Sequence, residues 1–556
     1  MLRVIKSSLP VISLDSLEEK IFSFLKEASQ SHSVQLRCAG GWIRDKILGK
    51  QSKDLDITVE GMTGIEFANL IKKYAINKFG ANQNVVGSVK DTEARPEQVK
   101  NLSVAFTKIY GQEVELLTLR GNEVYESGNR NPVSVNMNAS VKDDAFRRDL
   151  TINSLFYNIN NGQVEDYTGK GLSDIQTMTL RTPLEPLKTF KDDPLRLLRV
   201  LRFYSRYPQS NIAPEVVEAM KDSDVQNQIV RKILNNNDQF GIVPERTAIE
   251  LRKIMSGEQP DKSVRLMYET GLLSKMLNLP PEFHPLNMDQ QNKHHKLSVI
   301  DHTLAVLRNV NNLCKEYALG EDDRLRMNLA SLFHDLGKLD PRSHTPKRDG
   351  SRGYSGNPDH SSPLNHQQSS GEVWNNFAFA LKLSDEDRKF VHDIVINHMN
   401  PHAHIQPDGE SSDKQLRKYL RKNPTWFFQY IHAMADAMSK DNEDNLSAAE
   451  DYRTNINKLR QLSPNMNETG QIAQAKDLLN GQEIIQIVKA NPKPPQGERF
   501  GYIEVVKERL REEQDSNPML TKDQAVQIVH NMVSGGELIK FLGTDNWLKK
   551  SIDNSI

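Results

Sequence analysis

The stretch Leu36 to Glu60, LRCAGGWIRDKILGKQSKDLDITVE, decides how the rest of the 556-residue chain is read. Leu36 to Ala39 reads as a short strand, Gly40-Gly41 as a turn, and Trp42 to Leu48 as a helix with Gly49 as its C-cap. Such a turn aims backbone N–H groups and a helix N-terminus at whatever lies above the strand, a place anions favour. Lys53 to Val59 then reads as a second strand, whose alternation points Asp54 and Asp56 to one face. Two adjacent carboxylates repel unless a cation lies between them, which suits Mg2+ held jointly with triphosphate oxygens. A bare Asp-x-Asp is usually a solvated strand face. Close behind a double-glycine turn and WIRDKIL, it reads as a nucleoside triphosphate site.

Upstream, residues 14–30 space their apolar side chains as an amphipathic helix. Downstream, Glu113 to Leu119 alternates as a strand. Glu115 lies in its apolar part, where an unpaired charge is costly, and is the candidate third acid. Residues 120–141 are polar and broken by Gly and Pro, and read as a mobile loop. Asp149 and Asn153, four apart in FRRDLTINSLF, are expected on one helix face. Arg147 and Arg148 suit phosphate oxygens, while Asp and Asn suit ribose hydroxyls. Leu155 to Ile159, an Asn-Asn-Gly turn and Gln163 to Tyr167 form a hairpin.

In Lys191 to Phe203 (KDDPLRLLRVLRF), Pro194 marks a helix start with Asp192 and Asp193 at the cap and first turn. Leu195, Leu198 and Leu201 form the core stripe, and Arg196, Arg199 and Arg202 a basic one. A solvated face accounts for Arg199 and Arg202, which still join the candidate nucleotide-binding set. Asp193 and Arg196, three apart at the helix start, together offer an acceptor and donors to the edge of a base.

Composition bounds these readings. A net charge of -1 excludes a global polycation, so nucleic-acid contact requires local basic patches. Cys38 and Cys314 are the only cysteines, which excludes a disulfide scaffold or a cysteine zinc site. No apolar run approaches the ~18 residues of a membrane span. The first ten residues lack a signal-peptide core, and the expectation is a soluble, cytoplasmic protein with organellar targeting left open.

The segments GGWIRD, LDI with Asp54, VELLTLR, Arg147 to Ile175, DDPLRLLRVLRFYSR and PERTAIELRKI (Pro244 to Ile254) resemble, in order and spacing, the class II tRNA nucleotidyltransferases. That CCA-adding family includes bacterial poly(A) polymerases, and the wording here is closest to its fungal branch. The resemblance implies that Asp54 and Asp56 bind catalytic Mg2+ and Glu115 assists, while a tRNA 3′-hydroxyl attacks the α-phosphate of CTP or ATP. It implies that Gly40, Gly41 and Arg44 hold the triphosphate and that Arg148, Asp149 and Asn153 orient the nucleotide. Asp193 and Arg196 would act as an amino-acid template for the incoming base. Asp192 stands where other members often carry Glu. Glu245 and Arg246 read as braces of the neck.

After a Pro-, Asn- and Gln-rich linker at 280–296, histidines become dense. LASLFHDLGK, with His334-Asp335, resembles the HD superfamily of metal-dependent phosphohydrolases. By that resemblance His302, His334, Asp335 and Asp436 form a first metal site, and His366 and His398 complete a second. Such ligands suit Mn2+, Ni2+, Co2+, Fe or Zn rather than Mg2+ alone. Lys338 is placed to contact a phosphate, whereas His344, His360, His402 and His404 read as loop histidines without a role. Past Asn455 the chain resembles the family's C-terminal segment, with PKPPQG as its turn. Lys489, Lys493, Arg499, Lys507 and Arg509 are candidate RNA-backbone contacts there, or ordinary solvated surface.

The expected fold is α+β: a small mixed-sheet head over 1–185, an all-α neck over 186–285, an all-α HD domain over 286–455 and a helical, tRNA-binding tail over 456–556. The expected activity is CCA addition to tRNA from CTP and ATP, by a monomer or homodimer. A linked phosphohydrolase would act on 2′,3′-cyclic phosphates, 2′-nucleotides or other phosphomonoesters at RNA ends. The alternatives are a poly(A) polymerase, a CC-only or A-only enzyme, and an inert tRNA-binding protein. The last predicts missing acids or ligands, and all of them are present.

Overall fold

Strands fill the first third of the chain and helices the remainder. The computed structural model describes residues 10–91 apart from 31 and 53, 104–119, 123–124, 134–135, 139–234, 244–290, 297–344, 366–406, 409–410, 412–440, 445–462, 477–490 and 501–538. Most of the loop expected at 120–141, together with His360, Lys493, Arg499 and the PKPPQG turn, lies outside them.

The head is a seven-stranded sheet built from β1 (Gln35–Ala39), β2 (Leu55–Glu60), β3 (Lys90–Asp91), β4 (Val104–Ile109), β5 (Gln112–Thr118), β6 (Leu155–Asn158) and β7 (Gln163–Asp166). Their spatial order is β3-β4-β5-β2-β1-β6-β7. The sheet is mixed, because β2 and β5 run parallel while β1 is antiparallel to both β2 and β6. β1 and β2 are largely buried on both faces, as the run LDITV suggests, whereas β5 alternates, with Val114, Leu116 and Thr118 buried and Glu115 and Leu117 half-buried. In the head, α1 (Ser16–Gln30) and α3 (Gly64–Phe79) pack together, with α3 also on β4 and β5, and α2 (Gly41–Ile47) follows β1. A capping box from Thr63 to Glu66 starts α3.

The continuous helix face expected around Asp149 is not formed. The helix α4 (Val141–Phe146) starts at a Ser140–Asp143 capping box, and Thr151 to Asn153 make only a single 3-10 turn. The Thr151 N–H donates to the Arg181 carbonyl, 2.8 Å away, which removes it from any helical ladder. A short helix, α5 (Gly171–Thr177), closes the head.

The neck comprises α6 (Pro186–Asp192), α7 (Leu195–Arg206), α8 (Pro214–Met220), α9 (Ser223–Leu234), α10 (Pro244–Met255), α11 (Pro260–Glu269) and α12 (Leu272–Leu277). It is not purely helical, because Asn211–Ile212 pairs with Thr179–Leu180 as a short parallel ladder. The α7 leucines pack on α10 and α11. Next come α13 (Val299–Glu316), α14 (Glu321–Phe333), α15 (His366–Ala380), α16 (Asp385–Asn397), α17 (Asp413–Lys422), α18 (Trp426–Met438) and α19 (Asn445–Leu462). A two-residue hairpin, Ile405–Gln406 with Gly409–Glu410, interrupts this second helical region.

One apolar core runs from the head through the neck to Leu459. The tail helices α20 (Gly481–Lys489), α21 (Tyr502–Ser516) and α22 (Lys522–Ser534) enclose a separate core from Leu479 to Leu538. Arg421 of α17 ties α21 to the body through Glu508 (2.9 Å) and Asp515 (3.0 Å). Among the described residues no helix is long and apolar enough to cross a membrane.

Candidate active sites

The parallel register of β2 and β5 sets Asp56 beside Glu115. Paired residues of neighbouring strands share a face, so the two carboxylates lie on the same side of the sheet. Asp54 precedes β2 by one residue and is exposed. Burial pushes the Asp56 carboxyl up; Arg148 draws it down in part, and Asp54 raises it further. Glu115 is pushed up by burial and then by Asp56 and Asp54. Mutual repulsion of this kind marks a carboxylate cluster, and Asp54, Asp56 and Glu115 are suitable donors for Mg2+.

The raised carboxyls give a signed prediction. A folded state that binds more protons than the unfolded one loses stability as pH rises above the ordinary carboxylate value of about 4. Metal-free protein is therefore expected to melt at falling temperature as pH rises through the raised values of Asp56 and Glu115. Saturating Mg2+ should flatten that fall in differential scanning fluorimetry, and the same slope with and without Mg2+ would remove the cluster as its cause.

Gly40 occupies a left-handed conformation (φ +72°), and a Cβ there would stand 3.1 Å from a terminal nitrogen of Arg148 and 3.8 Å from Asp56 Oδ2. The glycine thus provides both the turn and the close approach of backbone, arginine and acid. Arg44 is buried; it pairs with Asp45 at 2.8 Å and donates to Asn153 Oδ1 at 2.5 Å.

Asp149 and Asn153 meet despite the absent helix, with Asn153 Nδ2 donating to Asp149 Oδ1 at 3.0 Å. The other Asp149 oxygen accepts from Arg199 Nε at 2.7 Å. Burial would raise the Asp149 carboxyl, but Arg199 and Asn153 outweigh it and hold it well below the usual range. The solvated arginine face expected on α7 is therefore absent at these positions. Arg199 is committed to Asp149, bracing neck against head, and Arg202 to Glu250 (3.1 Å), tying α7 to α10 within the neck. Arg148 is clamped by Asp144 at 2.8 Å, and Arg147 pairs with the same acid. Sequence reasoning missed Asp144 and Glu250, although three- and four-residue spacing to Arg147 and Arg148 marks the first.

Asp193 Oδ1 accepts from the Leu195 N–H at 3.1 Å and fixes the start of α7. Asp193 and Arg196 line a cleft of about 870 Å3 together with Gly40, Arg44, Asp54 and Asp56. Gly41, Arg148, Asp149, Asn153, Arg199 and Arg202 border the same space. Arg246, expected to brace the neck, is exposed and lines the cleft.

The second site forms among α13, α14, α15, α16 and α18. Two groups of buried donors converge, His302 with His334 and Asp436, and Asp335 with His366 and His398, each within 4.8 Å. Asp335 faces both groups, with Oδ2 3.3 Å from His334 Nε2 and 3.5 Å from His302 Nε2, and Oδ1 3.1 Å from His366 Nε2 and 3.8 Å from His398 Nε2. His334 and His398 each donate Nδ1–H to a carbonyl one turn back, Ser331 and Val395, at 2.8 and 2.7 Å. Nε2 is left as a lone-pair donor facing inward, as a metal ligand needs. The Nε2 atoms of His366 and His398 lie 3.2 Å apart, and burial followed by His366 and His334 pushes His398 well down. Facing imidazole lone pairs favour a cation between them, so the donor set fits transition metals.

Gly337 makes the assembly possible, since a Cβ there would fall 1.9 Å from the His366 carbonyl oxygen. Its N–H donates to Ser370 Oγ (2.8 Å), which donates to the His334 carbonyl (2.7 Å) and locks α15 onto the His-Asp pair. Lys338 is buried, 2.7 Å from Asp335 Oδ2, with Gln290 accepting from its Nζ at 2.9 Å; it is held as a partner of the acid.

Two histidines belong here that the sequence reading did not place. His402 Nε2 lies 3.1 Å from Asp436 Oδ2, and its Nδ1 contacts the Tyr452 hydroxyl. His432, one turn before Asp436, is fully buried 4.9 Å from the His334 ring, and neither of its ring nitrogens has a hydrogen-bond partner among the described residues. Its four-residue spacing to Asp436 was the available signal.

Comparison with known proteins agrees with this division. Residues 36–181 match the poly A polymerase head domain, 241–286 the "Probable RNA and SrmB- binding site of polymerase A" and 299–452 the HD domain. The mitochondrial CCA tRNA nucleotidyltransferase of Candida glabrata is 36% identical over 279 residues, 49% of this chain and 50% of that relative. The chain therefore spans about half the length of that relative. The multifunctional CCA protein of Chromobacterium violaceum is 24% identical over 412 residues, 73% of this chain and 85% of its own. The solved CCA-adding enzyme of Bacillus stearothermophilus, in complex with CTP, superposes with a TM-score of 0.57 at 15% identity, over 94% of this chain and 99% of that one, a likeness of fold.

Proposed function

We propose, from a chain that carries a poly A polymerase head domain, an RNA-binding segment and an HD domain, that it adds CMP, CMP and AMP to the 3′ end of tRNA from CTP and ATP. The observation that carries this reading is the single cleft bordered both by Asp54 and Asp56 and by Asp193 and Arg196. Mg2+ held by Asp54, Asp56 and Glu115 would neutralise charge on the triphosphate. Gly40, Gly41 and Arg44 cradle the phosphates, and Arg148, Asp149 and Asn153 orient the nucleotide. The terminal ribose hydroxyl gives up its proton to solvent as its oxygen bonds to the α-phosphorus, the bond from that phosphorus to the α–β bridging oxygen breaks, and pyrophosphate leaves with the electron pair. Rate comes chiefly from positioning and electrostatics. Asp193 and Arg196 read the base edge, while Arg199 holds that reader's helix to the head through Asp149 and Arg202 holds it to α10 through Glu250.

The division of labour is a head to residue 185, a neck to 285, an HD unit to 455 and a tRNA-binding tail to 556. The protein works as a monomer or homodimer in the cytoplasm or an organelle. The HD unit is a phosphohydrolase for cyclic or monoester phosphates at RNA ends. His302, His334, Asp335, His366, His398 and Asp436 would hold Ni2+, Mn2+ or Co2+, which would supply a nucleophilic hydroxide and charge stabilisation.

The decisive assay incubates a tRNA lacking its 3′ CCA with CTP, ATP or both and sequences the ends. Ordered CCA with both nucleotides supports the reading; runs of A without C would reassign the chain to poly(A) synthesis. Arg196→Ala should lower the choice for the correct base by about 10- to 100-fold, the ~1–3 kcal/mol of a lost bidentate base contact. The competition ratio of CTP to ATP at each added position measures it, and an unaltered ratio would deny Arg196 the role of base reader.

A further inference from the structure

We infer that the HD unit completes the nucleotidyl-transfer cleft, with Arg324 of α14 and Lys253 of α10 forming a phosphate-binding subsite for the RNA strand being extended. This rests on the reading of the head as an RNA 3′-end polymerase. The wall of the cleft is not confined to head and neck, because Glu321 and Arg324, at the start of α14, border the same space as Asp54 and Asp56. The cations around it divide into two sets. Arg44 and Arg206 pair with Asp45, Arg147 and Arg148 with Asp144, Arg199 with Asp149 and Arg202 with Glu250. Among the described residues Arg196, Arg246, Lys253 and Arg324 have no ion-pair partner.

Arg324 is the most telling of these. It is half-buried, and its Nε is enclosed without a hydrogen-bond acceptor among the described residues. Holding a half-buried guanidinium without an ion pair is costly, and its planar charged group matches phosphate oxygens. Of the acids nearby, Glu258 pairs directly with Lys315 at 2.7 Å and feels the Arg324 charge only at longer range, and Glu321 accepts from the Ser256 hydroxyl at 3.3 Å.

The placement of α14 is rigid. Asn328 Nδ2 donates to the Met255 carbonyl at the end of α10 (2.7 Å) and to Asn311 Oδ1 (3.1 Å), while Asn311 Nδ2 donates to the Glu258 carbonyl (2.8 Å). Arg308 adds an ion pair to Asp261 at 2.9 Å. These bonds dock α14, which carries Arg324, on the end of α10, which carries Lys253; Lys253 is exposed and shares a face of α10 with Arg246, seven residues earlier. The resulting basic strip leads from the neck onto the HD unit, where a strand with its 3′ end at Asp54 and Asp56 needs its phosphates neutralised.

The test uses the full chain with Arg324→Ala, Arg324→Lys and Lys253→Ala. Binding of a fluorescein-labelled tRNA lacking CCA is read by anisotropy across a salt series, and KM for RNA and for each nucleotide is measured separately. Arg324→Ala should weaken RNA binding about tenfold and lessen the salt slope by roughly one phosphate contact, leaving nucleotide KM and kcat unchanged. Arg324→Lys should recover the slope but only part of the affinity, because it retains the charge without the planar fork. RNA affinity and slope within twofold of wild type would overturn the subsite, as would a rise confined to nucleotide KM. Because binding is read directly, a wild type that binds RNA but adds no nucleotide would defeat the polymerase reading and leave the subsite to be judged on its own. An unchanged melting temperature and HD-site metal content exclude misfolding.

Discussion

Asp56→Ala is expected to reduce nucleotide addition by about 10^3-fold or more, since the Mg2+ it would help to hold would supply several kcal/mol of transition-state charge stabilisation at ~1.4 kcal/mol per tenfold. Asp56 is the member of the cluster that the fold places most tightly. It lies within β2, paired with Glu115, while a Cβ at Gly40 would approach its carboxylate. Removing it relieves repulsion with Asp54 and Glu115, so the variant should be at least as stable as wild type without Mg2+ and gain less on its addition. Single-turnover extension of a truncated tRNA measures the loss, and phosphohydrolysis at the distant HD site is the internal control. Addition within tenfold of wild type would refute the assignment of Asp56 to the metal.

Asp335→Ala should have the opposite profile, with metal-dependent phosphohydrolysis down about 10^3-fold and CCA addition within twofold of wild type. The size follows from position. One Asp335 oxygen faces His302 and His334, the other faces His366 and His398, and Lys338 lies 2.7 Å away. Burial pushes this carboxyl up, yet His334 and Lys338 hold it well below the usual range, so it is ionised at any working pH. Its loss leaves Lys338 buried beside uncompensated imidazoles, and elemental analysis should find metal content reduced at both donor groups. Asp335→Asn separates charge from shape. Metal retained in full by both variants would sink the bridging role, and loss of addition as well would show that the two sites are not independent.

Much of this was legible because it is local. The turn at Gly40, the strand carrying Asp56, the start of α7 at Asp193 and the His-Asp pair closing α14 each depend on fewer than ten consecutive residues. Short-range periodicity and capping carry such features. The expected helix around Asp149 failed for the complementary reason: the Thr151 N–H is taken by Arg181, thirty residues away, and a distant hydrogen bond overrides local propensity. Arg199 and Arg202 were misjudged as solvated because their partners, Asp149 and Glu250, come from elements roughly fifty residues off on either side. His402 carries no periodic signal, and only the packing of the Pro401–His404 turn, α18 and α19 brings it to Asp436 and Tyr452.

The sequence by itself determined the chemistry available: the acids on a strand, the acceptor and donors at a helix start, and the histidines and aspartates of the HD set. The tertiary structure alone decided which of those groups are free to act. It aligned β2 with β5 so that Asp56 meets Glu115, tied Arg199 and Arg202 into a brace, brought His402 to Asp436, and carried Arg324 to the rim of the cleft that Asp54 and Asp56 line. The physical reason is that ion pairing and burial depend on neighbours in space, and in this chain those neighbours lie tens to hundreds of residues apart.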